Sequence, residues 1–257
     1  MPARQRHVDR TASWQRAVHY ALKHRLGVLL AVETFAIFAL APLIQLGLLP
    51  HPLLGVTFSL ILLAGMATMD DRAWAGRIII TLGLVLLPLQ IWRYVWPDDK
   101  VLVLHLIGLI CFLLLLSGVL AKAVFTARRI KMDQVLGGVV LYLNIGLTFA
   151  TMYTLLEQVA PGAFHLADPV PVPPLHPSNF IYFSLVTLTT LGYGDVLPVH
   201  AAARSMATLE AAIGQLYPAI ILARLVSIEV TQRDQAKDRS EHRQHVAQDR
   251  GRGARDL

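Results

Sequence analysis

Apolar residues in this chain come in long blocks, each ended by a short polar break. A bilayer core about 30 Å thick takes about 20 helical residues to cross. On that measure the blocks predict six spans: Leu26–Leu49, Leu53–Met69, Gly76–Trp96, Val101–Thr126, Gln134–Ala160 and Ala202–Val230. The second is the shortest. Residues 161–177 carry six prolines, which cannot form a regular helix and read as a semi-rigid surface turret. Residues 178–189, "SNFIYFSLVTLT", are then apolar for only a dozen positions. A helix of that length rises about 18 Å, so it must enter the membrane and return on the same side. The fold class is an all-α membrane protein with a re-entrant helix between the fifth and sixth spans.

Composition agrees. The chain has 257 residues, 55% hydrophobic and 16% charged, with a mean hydropathy of +0.53; soluble domains run at about 25% charged. The first apolar run, about 24 residues, is too long for the core of a cleaved signal peptide. The single cysteine, Cys111, excludes an intrachain disulfide and reads as a small buried hydrophobe.

The net charge of +6 would suit nucleic acid, but its placement does not. Arg4, Arg6, Arg10, Arg16, Lys23 and Arg25 precede the first span; Arg72 and Arg77 follow the second. Arg128, Arg129 and Lys131 follow the fourth, and seven more lie between Arg233 and Arg255. The other side has Arg93 and Lys100, and no Lys or Arg from 161 to 203. The positive-inside rule therefore puts both termini in the cytoplasm of a cell-membrane protein, with the re-entrant segment outside. The implied partner is lipid, not nucleic acid.

The chemistry is concentrated at residues 187–195, "TLTTLGYGD". Lipid cannot hydrogen-bond a bare peptide, so irregular backbone at membrane depth survives only when buried in protein or lining a watery cavity. Gly192 and Gly194 can take positive φ, which lets successive carbonyls turn to one side, and Thr190 adds a hydroxyl at the inner end. This stretch resembles the selectivity filter of the potassium-channel superfamily, whose carbonyl rings replace an ion's hydration shell. The resemblance covers about residues 134–230.

It implies that Thr190, Leu191, Gly192 and Tyr193 coordinate K⁺, the last three through carbonyls. Gly194 would permit the outer turn and Asp195 would stand at the mouth. Tyr182, Phe183, Thr187 and Thr189 would support the filter from the pore helix. Leu191 replaces the usual Val or Ile, and Tyr182-Phe183 stand where many relatives carry Trp-Trp. Val186 occupies a position where some bacterial relatives hold a glutamate. One filter cannot encircle an ion, so the resemblance implies a fourfold homotetramer. Asp168 and Asp195, unopposed by Lys or Arg, would make its entrance acidic.

Around that stretch, Ser178 is placed to cap the pore helix, whose C-terminal dipole favours a cation. Glu210 lies about 12 Å along the last span, level with the filter, and reads as bonding a pore-helix hydroxyl such as Thr187, with gating as the other reading. Gly214 and Pro218 both weaken a helix, which makes them candidate hinge residues; close helix packing is the rival reading for Gly214. Glu33 reads as bonding a neighbouring helix.

The first four spans, residues 26–126, carry no basic ladder, so they are not a voltage sensor. Trp14, Val18 and Leu22 could lay part of the 1–25 tail on lipid. Residues 231–257 read as a frayed helical extension followed by disorder. The expected function is passive K⁺ conduction, with no cofactor beyond the permeant ion, no small-molecule substrate and no catalysis. A weakly selective cation channel, a regulatory channel subunit, and a membrane enzyme or sensor built on Glu33, His105 and Glu210 are the alternatives.

Overall fold

In a computed structural model, the described residues are 26–50, 52–68, 74–126, 132–167 and 176–253. The first apolar block forms α1, Leu26–Ile44, with a widened π-helical turn at Ala36–Leu40. That turn sits directly before Pro42, which has no N–H and whose ring would press on the carbonyl four residues back; the wider winding relieves both. Next come α2, Pro52–Thr68, α3, Trp74–Val95, and α4, Asp99–Thr126. The fifth block forms α5, Met132–Val159. After it come a short strand β1, Phe164–Leu166, the half-length helix α6, Pro177–Leu188, strand β2, Val196–Pro198, and the long α7, Ala201–Gly253.

Five of these helices are long and apolar enough to cross a membrane. The expected sixth, α2, has an apolar run of only Leu53–Met66. That run rises about 21 Å against a core of about 30 Å, so length alone does not establish a sixth crossing.

Helix α5 is the hub. It packs against α4 on one side and α6 on another, and meets α7 as well. Two-thirds of its apolar window is buried (67%), against 11% for α7. The core between α1 and α5 is mostly aliphatic, built on Leu29, Ile61, Leu62, Ile79, Leu113 and Leu116 with Phe112 among them. Three helices also share a buried polar tie. Asn144 of α5 donates to Glu33 of α1 at 3.3 Å and accepts from Ser117 of α4 at 2.7 Å. Removing the donor strands a buried carboxyl, so Asn144→Ala should destabilise the chain by about 1–3 kcal/mol. Thermal unfolding in detergent reads this; an unchanged midpoint would show that the tie contributes nothing.

Four expectations need correction. Cys111 is exposed on the outer face of α4 rather than buried, which suits an apolar thiol facing lipid. The α6 cap is not Ser178, which is buried in the first turn; Asn179 reaches back to the His176 N–H at 2.9 Å. The turret is not wholly loop, because β1 pairs antiparallel with β2, Phe164 opposite Pro198 and Leu166 opposite Val196. The backbone of α7 continues as helix to Gly253, through most of the tail read as disordered. Extending a formed helix avoids the cost of nucleating one, so a polar sequence can sustain it. The tail residues Trp14, Val18 and Leu22 and the turret's Asp168 lie outside the described residues.

Candidate functional site

Helix α6 ends at Leu188, and Thr189 closes it by donating its N–H to Leu185 O at 2.9 Å. The backbone then changes character. Thr190, Gly192 and Gly194 have φ of 59°, 57° and 79°, and these are the positive-φ residues in the stretch. Left-handed residues therefore alternate with ordinary ones. In a regular strand carbonyls point to opposite sides in turn; alternating the sign of φ brings them round to the same side. A β-branched threonine in the left-handed region is strained, and such strain gathers at functional sites.

The amides of this segment turn back into the chain. Thr190 N–H donates to Thr187 O at 2.9 Å, and Leu191 and Gly192 N–H both reach Val186 O, at 2.9 and 3.3 Å. The carbonyls do not. Among the described residues, no group donates a hydrogen bond to the carbonyl oxygen of Thr190, Leu191, Gly192 or Tyr193. All residues from Thr189 to Asp195 are exposed on the single chain, Leu191 at 62% and Tyr193 at 69%. A row of free carbonyl oxygens beside two exposed apolar side chains is a surface built to be covered.

Asp195 is held on three sides. Its carboxylate accepts from the Val196 N–H at 3.1 Å and lies within hydrogen-bond reach of the Tyr182 hydroxyl, while its backbone carbonyl accepts from Ala167 N–H at 2.9 Å. Tyr182 thus serves as the carboxylate's partner where Val186 has no polar group to offer. The β1–β2 pair and the bonds from Val199 and His200 N–H to Ala163 O lash the segment beyond Asp195 to the chain just after α5.

Behind α6, Tyr153, Phe164, Phe180 and Phe183 form an edge-to-face cluster with centroids 5.0–5.5 Å apart. Each such pair adds about 0.5–1.5 kcal/mol beyond its buried area. Glu210 enters this region from α7 and is fully buried. Its partner is not Thr187. One carboxyl oxygen accepts from Tyr153 OH at 2.5 Å, and the other lies 2.5 Å from Ser184 Oγ, which is also 2.6 Å from Gly146 O. Ser184 and Thr187 are three residues apart and share a helix face; Ser184 is the one turned toward α5 and α7, while Thr187 is only half-buried.

Four residues below Glu210, Gly214 lies against the end of α6. A Cβ there would sit 1.8 Å from Leu188 O and 2.6 Å from its carbonyl carbon. Close packing therefore accounts for this glycine. Tyr142 OH of α5 donates to the same Leu188 O at 3.1 Å, and Tyr217 OH ties α7 to Gly138 O at 2.7 Å. Pro218 is exposed, and α7 continues past it. Tyr153, Ser184 and Gly146 went unread in the sequence. The available signal was Tyr153 and Asn144 as polar interruptions of an otherwise apolar span.

Two comparisons bear on this geometry. A family described as "Ion channel" matches residues 139–230, from α5 through the filter-like segment into α7. Protein LctB of Bacillus caldotenax is 33% identical over 103 residues, which make up 38% of this chain and 75% of LctB. The chain belongs to the potassium-channel superfamily. It is an ion channel and a multipass membrane protein, and the family match begins at Val139, leaving α1–α4 as an added bundle. By its likeness to that superfamily's pore region, α5, α6 and α7 would correspond to an outer, a pore and an inner helix.

Proposed function

We propose that four copies of the chain form a K⁺-selective pore that conducts passively and carries no voltage sensor. The observation behind this reading is the row of uncommitted carbonyl oxygens at Thr190, Leu191, Gly192 and Tyr193 on an exposed, sign-alternating backbone. Four such rows about one axis would surround a dehydrated cation with stacked oxygens, with the Thr190 hydroxyl as the innermost ligand. Gly194 then shapes the outer turn, and Asp195, braced by Tyr182, stands at the mouth. Phe183, Thr187 and Thr189 hold the pore helix behind it.

The fourfold assembly is supported by what the single chain leaves uncovered. Besides Leu191 and Tyr193, the inner helix exposes Leu209, Leu216, Ile220, Leu222 and Val226. On the outer side of the assembly these residues would meet lipid or a neighbour; toward the axis they would line the conduit. The basic residues still favour cytoplasmic termini. That arrangement needs an even number of crossings, and so requires α2 to span despite its length.

The experiment is tracer flux into proteoliposomes holding the purified channel. Uptake of a K⁺ analogue that Na⁺ does not match is the expected result. Equal uptake of the two ions would make it a weakly selective cation channel, and no uptake by purified protein would leave it a subunit of some other pore.

A further inference from the structure

We propose that Glu210 is a neutral carboxylic acid that donates its own proton to Ser184, and so acts as a positioning residue joining the outer, pore and inner helices. The reasoning is a count of hydrogens. Three oxygen–oxygen contacts run in series: Gly146 O to Ser184 Oγ at 2.6 Å, Ser184 Oγ to Glu210 Oε1 at 2.5 Å, and Glu210 Oε2 to Tyr153 OH at 2.5 Å. Contacts this short need a hydrogen between the oxygens. A peptide carbonyl supplies none, and each hydroxyl supplies one. Two hydroxyl hydrogens cannot fill three gaps.

An ionised Glu210 would accept short bonds from both Ser184 and Tyr153 readily enough. It would then leave Ser184 Oγ and Gly146 O facing each other, two acceptors with nothing between them. A protonated Glu210 fills every gap. Its Oε1–H goes to Ser184, the Ser184 hydroxyl goes to Gly146 O, and Tyr153 donates to Oε2. The surroundings agree. The groups that face the carboxyl are Tyr153 and Tyr142 from α5 and Ser184 from α6, none of them basic, and the side chain is fully buried. A charge there would have neither water nor a counter-ion.

The consequence rests on the channel reading above. Glu210 contributes no charge to the permeation path. It holds α6 at a fixed depth between α5 and α7, through Ser184 and Tyr153. A neutral acid and an amide can each donate from one atom to Ser184 and accept on the other from Tyr153, the amide with one N–H to spare, so glutamine can replace it and a smaller residue cannot.

The test compares Glu210→Gln, Glu210→Ala and Tyr153→Phe in the full-length channel. Glu210→Gln should keep K⁺ flux within about twofold of wild type, whereas Glu210→Ala, which leaves Ser184 and Tyr153 stranded, should lower it at least about tenfold. Loss in Glu210→Gln as severe as in Glu210→Ala would overturn the proposal. Infrared difference spectra give a second reading that does not need conduction. Wild type minus Glu210→Gln should show the C=O stretch of a protonated acid, and Tyr153→Phe should shift that band upward in frequency. Finding the paired carboxylate stretches in its place would overturn the proposal even if wild type proved to pass no K⁺, an outcome that would separately remove the channel reading.

Discussion

Gly192→Ala should abolish most of the preference for K⁺ over Na⁺. Gly192 has φ of 57°, and no atom lies within 4 Å of where a Cβ would go. Within one chain, the change therefore tests backbone conformation and not crowding. A left-handed residue with a Cβ costs about 1–2 kcal/mol, and in the proposed tetramer each of the four copies would bear it. The backbone can avoid it by returning to negative φ, but that turns one carbonyl out of its row. Either way the ring of oxygens at that level is spoiled. Since about 1.4 kcal/mol is a factor of ten, selectivity should fall by at least about tenfold, measured as relative tracer uptake or reversal potential. Retained selectivity would mean that this backbone does not meet the ion.

Gly214→Ala should disrupt assembly. Its Cβ would fall 1.8 Å from the Leu188 carbonyl oxygen, and that atom belongs to the pore-helix backbone, which cannot swing away like a side-chain tip. Overpacking of well-ordered contacts costs about 1–3 kcal/mol, and a collision with backbone lies at or above the top of that range. The inner helix must shift, and with it the Tyr142 bond to Leu188 O. The expected result is loss of the proposed tetramer in size-exclusion chromatography, or an assembly that melts earlier and conducts poorly. A hinge would behave differently, since a helix that only needs to bend there would still assemble with alanine and change its gating alone. Normal assembly of the variant would restore the hinge reading.

The parts of this molecule that were legible in the sequence are those fixed by a single length scale. Bilayer thickness sets where a long apolar run ends, so Gly76–Trp96 and Val101–Thr126 fall within two residues of α3 and α4. The half-length of α6 and the positive φ of Gly192 and Gly194 are local features of the same sort. Contacts between helices are not. Ser184 and Thr187 present similar hydroxyls on one face of α6, and only the rotation of that helix against α5 decides which meets Glu210. The β1–β2 pair is three residues per strand, set between prolines and a filter, and leaves no alternating pattern long enough to read. The helical extension was read but not its reach to Gly253, because the tail's composition is that of a free chain while it grows from a helix already wound.

The tie between Glu33, Asn144 and Ser117 limits how the added bundle can move. Sliding or rotating α1 against α5 by even half a turn would part these groups and leave a carboxyl, an amide and a hydroxyl dangling in hydrocarbon. Helices α1 and α4 are thus riveted to α5 instead of swinging beside it like a lever. Any stimulus that reaches the conduit by way of them has to shift α1, α4 and α5 together as one rigid block.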